Sequence, residues 1–271
     1  MIRPHGFLTI ALVIGTALSA RAQSRAPADS QRVGGGVWVL QLLQGFQMAG
    51  SPELASAINA LLLDDGAHMR MAPKRDLAAG DSARAGEIVK TARASLGKYS
   101  DVKVAERDGY VKFLPWLEDQ AIYHYNNIGN AMAMFGGFDA TKPVSLLYKK
   151  NDRGALELVG AMYNAPPNAT PADLDTRLPT SIAHWHEHVN FCAASPDSVR
   201  AGVVKPDAAT AAKWLQITTR DGCTAVGGRF VPRIFGWMAH VYLFAGDDPK
   251  TIWGGEDHGS MDVHMHQPPT G

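Results

Sequence analysis

The sequence predicts an α+β fold, with N-terminal helices followed by an antiparallel β-sandwich or barrel module. Before residue 110, apolar residues recur at helical spacing. After residue 111, short alternating runs rich in aromatic residues are bounded by Gly, Pro, Asn and Asp. The composition is that of an ordinary globular chain, 46% hydrophobic and 19% charged over 271 residues, long enough for one large domain or two small ones. Lys plus Arg and Asp plus Glu balance at 26 each, which speaks against a nucleic-acid-binding protein. Two cysteines exclude a disulfide-rich scaffold and a four-thiolate zinc site.

Residues 1–22 read as a signal peptide. Arg3 supplies the positive start, an apolar run follows, and Ala20-Arg21-Ala22 is a small-x-small cleavage pattern. The expected mature chain starts at Gln23, is exported to the periplasm or the medium, and carries no transmembrane span. Residues 23–36 form a flexible lead-in, and residues 37–110 a helical region. Within it, residues 37–48 suit a short helix. Ser51 and Pro52 open a clearer one, with Leu54, Ile58, Leu61 and Leu62 on one face. Residues 81–96 predict another helix with Ile88 and Val89 on its inner stripe, and residues 99–110 a further one closed by Asp108-Gly109. Residues 111–255 form the β-rich part. Strands are expected at 121–126, 145–150, 155–163 and 230–244, the middle two joined by an Asn151-Asp152-Arg153-Gly154 hairpin turn. Residues 196–210 read as a loop and 256–271 as a disordered tail.

The chemistry concentrates in His184-Trp185-His186-Glu187-His188-Val189-Asn190. On a strand, His184, His186 and His188 share one face. On a helix, His184 and His188 lie one turn apart. Both geometries put His184 and His188 on one side, as an ion held by neutral imidazoles requires. His124, His240 and Glu157 are isolated polar residues in apolar strands, where burial without a partner is costly. Convergence on one ion satisfies them together. The expected site is therefore His124, Glu157, His184, His186, His188 and His240 around a divalent transition metal: zinc, copper, iron or manganese. At least three of His124, His184, His188 and His240 should converge on it, with Glu157 or His186 as the next ligand. No general base stands out, so the sequence does not say whether the chain is an enzyme. The competing reading is a non-catalytic exported binding or interaction domain whose histidines are structural. A small-molecule ligand suits either reading.

Cys192 and Cys223, in an exported chain, are expected to pair. The tail holds His258, Met261, His264, Met265 and His266, a composition that captures soft-to-borderline metals weakly.

Several strings stand out between residues 108 and 242: Asp108-Gly109-Tyr110, Tyr123-His124-Tyr125-Asn126, Leu158-Val159-Gly160-Ala161-Met162-Tyr163, His184-Trp185-x-x-His188-Val189-Asn190 and Gly236-Trp237-x-x-His240-Val241-Tyr242. Over residues 104–253 the chain resembles a family of exported bacterial proteins of unknown function. The resemblance implies one module containing His124, Glu157, His184, His188 and His240. The ligand inventory also resembles that of cupins, although Glu157 precedes the histidine cluster and so breaks the cupin motif order.

Overall fold

In the computed structural model, the residues described are 66–194, apart from 116 and 118, and 213–254, apart from 215. The expected signal peptide, the lead-in, the helices before residue 65, the 196–210 loop and the tail lie outside them.

The described chain builds one antiparallel sheet with helices on one face. Its strands are β1 (Met69–Met71), β2 (Val111–Lys112), β3 (Tyr123–Asn126), β4 (Ser145–Lys150), β5 (Leu156–Ala165), β6 (His186–Ala194) and β7 (Gly228–Val241). They form a 7-stranded sheet in the order β1-β6-β7-β5-β4-β3-β2. The α+β class and the antiparallel pairing agree with the sequence. The sandwich or barrel does not appear among the described residues: they hold a single sheet, and the apolar layer on one of its faces is helical.

That layer begins with α1 (Asp81–Leu96), whose buried stripe is Asp81, Ala85, Val89, Ala92 and Leu96. A 3-10 turn at Gly97–Ser100 and α2 (Val102–Arg107) follow, with Asp101 capping α2 through Lys103 N–H. The two short pieces replace the continuous helix expected at 99–110. Their apolar side chains pack on Tyr123, Tyr125, Leu146, Tyr148, Ala161, Tyr163, Trp237 and Val241, the face of the sheet turned toward α1. Buried phenols there donate to backbone carbonyls, Tyr148 to Tyr99 and Tyr163 to Ala140, both at 2.7 Å. Satisfying such hydroxyls is a condition of burying them.

Two further helices went unforeseen, α3 (Ile128–Ala133) and α4 (Pro171–Arg177), and both start on a polar cap, Asn127 and Thr170. The short helices α5 (Arg220–Ala225) and α6 (Pro249–Trp253) flank β7. The Asn151–Gly154 turn closes β4 onto β5 as expected, with Gly154 at φ 74 and Asn151 N–H donating to Ala155 O at 2.9 Å.

β1 comes from the stretch read as helical. It is three residues long and pairs Met69 with His188 and Met71 with His186. The chain leaving it is tied down by Arg75, whose guanidinium donates to both carboxylate oxygens of Asp81 on α1 and of Asp175 on α4. Arg75 holds the Asp81 carboxyl well below the usual carboxylate range, helped by Ala78 N–H and the Ser181 hydroxyl.

Cys192 on β6 and Cys223 on α5 form a disulfide, with Cα atoms 5.4 Å apart across a sequence separation of 31. Trp214, Ile217 and Phe230 pack on it. Closing a loop of this length stabilises by roughly 3–4 kcal/mol in the chain-entropy account. A Cys192→Ser, Cys223→Ser double variant should lose most of that in a urea titration at pH 7. A variant with an unchanged midpoint and slope would refute the estimate.

Candidate histidine site

The second face of the sheet, opposite α1, carries the histidines. Backbone register sets their placement. His124 on β3 lies beside Leu147 on β4, His240 on β7 beside Met162 on β5, and His186 on β6 beside Met238 on β7. Because side chains alternate across a strand, partners in register share a face. Ile122, Leu147, Met162, Met238 and Tyr242 form an apolar cluster around them.

Two backbone features bring the imidazoles together. Gly160 stands on β5 between β4 and the end of β7. A Cβ there would lie 2.3 Å from Val241 O and 2.8 Å from Tyr242 Cα. Without one, the backbone at the end of β7 packs directly onto β5, which fixes where His240, the residue before Val241, stands. The second feature is a bulge. β6 advances from His186 to His188 while β7 runs from Met238 back to Ile234. Phe235, inside this bulge, has φ 61, and Asn190 just beyond has φ 63. Bulges and non-glycine residues in this region re-aim side chains and concentrate at functional sites.

The result is a contiguous group. His124 Nε2 and His240 Nε2 face each other at 3.4 Å. Ring centroids are 5.2 Å apart for His186 and His240 and 5.6 Å apart for His186 and His188. His186 and His188 are 1% and 3% exposed. Burial pushes the His124 imidazole down to about 4, and burial together with neighbouring His124 and His68 brings His188 to about the same value. Both rings are therefore neutral at pH 7, the form that carries a lone pair. The Nδ1 atoms of His124 and His188 are buried without a hydrogen-bond partner.

Glu187, between the two strand histidines, points to the other face, toward α1. It is 0% exposed and forms ion pairs with Arg70 of β1 and Arg233 of β7, while Arg70 also lies 5.5 Å over the Trp237 ring. Its charge locks three strands together and leaves the histidine face without a carboxylate from this segment.

The structure thus brings His124, His186, His188 and His240 together. His184 precedes the strand, and its Nε2 lies 3.0 Å from the Lys74 ammonium, which donates to it. Glu157 is exposed on the hairpin end of β5 and accepts from Asn151 Nδ2 at 2.7 Å, away from the histidine cluster. Among the described residues, no three His, Cys, Asp or Glu side chains already stand arranged to hold an ion. His68, missed in the sequence, approaches the group from the turn just before β1, its ring 5.1 Å from Phe191, which lies 6.5 Å from His188. Its only local signal is the alternating Met69-Arg70-Met71 and Pro73 that follow it. A cavity of about 330 Å³ is lined by Asn130, Phe138, Lys142, Asn164 and Arg177 among others, and by none of the histidines. Asn164 pairs with Met238, the residue in register with His186.

No protein-family model, curated protein or solved structure matches the chain. No helix among the described residues is long and apolar enough to cross a membrane.

Proposed function

We propose that this chain is an exported metal-binding protein that holds a divalent transition metal through His124, His186, His188 and His240. The observation that carries this reading is the 3.4 Å separation of the His124 and His240 Nε2 atoms. A good hydrogen bond between ring nitrogens is shorter, nearer about 3.0 Å. Two nitrogens bound at about 2.1 Å to one tetrahedral ion stand about 3.4 Å apart. The buried, unbonded Nδ1 atoms of His124 and His188 and the neutral state of both rings add to it. Imidazole donors next to the Met162 and Met238 thioethers suit zinc, copper, iron or other borderline metals better than magnesium or calcium. Export is supported by the Cys192–Cys223 disulfide, which persists in oxidising compartments, and by the Ala20-x-Ala22 pattern.

The test is metal content after chelation and reconstitution at pH 7.5, where imidazole is neutral. One tightly held ion per chain is expected, lost in His188→Ala and retained when the chain is truncated after Trp253. A wild-type protein that takes up no zinc, copper, iron or manganese overturns the reading. It would leave a non-catalytic domain with structural histidines, the alternative favoured by the lack of a ready-made three-donor arrangement.

A further inference from the structure

His68 stands outside any ligand set that the sequence suggests, yet its geometry is that of a ligand. Its Nδ1 lies 3.2 Å from Val189 O, so the Nδ1–H donates and Nε2 is left with its lone pair. That Nε2 is buried and has no hydrogen-bond partner. A backbone carbonyl fixing one ring nitrogen while the other faces inward is the usual arrangement behind a metal-bound histidine. The ring lies 5.1 Å from Phe191, tilted by 33°, and Phe191 in turn lies 6.5 Å from His188. His68 also immediately precedes β1, a strand of three residues held to β6 by few backbone bonds.

We infer that His68 is a further ligand of the metal centre, so that metal occupancy fastens β1 to the edge of the sheet. The inference rests on the metal-binding reading above and adds a mechanical consequence to it. A strand this short contributes little pairing of its own. An ion shared between His68, the residue before the strand, and His188 on β6 supplies the cross-link that the backbone lacks.

The test uses the full mature chain, with zinc as the probe, in wild-type, His68→Asn, His68→Ala and His188→Ala forms. The Asn amide nitrogen can replace Nδ1–H in donating to Val189 O, but it offers nothing at the Nε2 position. The expected result is a zinc affinity lowered about tenfold or more in both His68 variants. In wild type, zinc should slow hydrogen exchange at Val189 N–H, which donates to His68 O at 2.8 Å. His68→Asn should abolish that slowing. If His68→Asn binds zinc as wild type does, while His188→Ala does not, the role of His68 is overturned and the metal centre stands. If wild type binds no zinc, copper, iron or manganese, both fall.

Discussion

Acidifying the metal-free protein from pH 6.5 to pH 4 should cost it several kcal/mol of stability. Burial holds the His124 and His188 imidazoles at about 4, against about 6.5 for histidine in the unfolded chain. Between those values the unfolded chain takes up protons that the native state refuses. The contribution is complete above pH 6.5 and is lost as pH falls through 4. Each group accounts for about 3 kcal/mol across that window, against total stabilities of about 5–15 kcal/mol for such domains. The depressed carboxyls of Asp108, Asp139, Asp173 and Asp175 act in the same direction but only below about pH 4, so the two regimes separate. Urea titrations in chelator at pH 7, 5.5 and 4 measure it. Stability flat across that range would mean that the rings are solvated and not buried.

Gly160→Ala should be among the most damaging single methyl additions in the described sheet. The new Cβ would meet backbone atoms, Val241 O at 2.3 Å and Tyr242 Cα at 2.8 Å, and no side-chain rotation relieves that. β5 and β7 must part. Overpacking of this kind costs about 1–3 kcal/mol and more where the backbone itself is displaced. The separation also carries His240 away from His124, so metal affinity should fall with stability. Gly136→Ala serves as the control, since nothing lies within 4 Å of a Cβ there. Equal midpoints for the two variants in thermal unfolding would refute the argument.

The contrast between legible and hidden parts follows sequence distance. α1 and β4 were readable to the residue because their patterns are local: Ala85, Val89, Ala92 and Leu96 on one helical stripe, Ser145 to Lys150 ahead of an Asn-Asp-Arg-Gly turn. β1 was hidden because three residues carry no period and its partner, β6, lies more than a hundred residues away. The same holds for the site. The dense histidine string was visible, but which of its members face the cluster depends on the bulge in β7 and on Lys74. Glu157 attracted attention as a lone acid in an apolar run, whereas its strand ends at a solvated hairpin. Glu187, which strand alternation puts on the opposite face from His186 and His188, is held there by Arg70 and Arg233 from the strands on either side.

The two borders of the sheet bear on how this protein behaves in crowded solution. Unpaired strand borders are templates on which another chain can add and polymerise. Among the described residues, one border is Met69–Met71, bearing Arg70 and followed closely by Pro73, and the other is Val111–Lys112. Both are too short to seat a visiting strand over more than a few bonds. Proline cannot extend the first, and cations are carried on each. The long, apolar, aggregation-prone strands, β5 and β7, lie in the interior of the sheet with a neighbour on either side. Open-ended association by strand addition is thereby discouraged by architecture alone, while the histidine face is built from the strands that the borders protect.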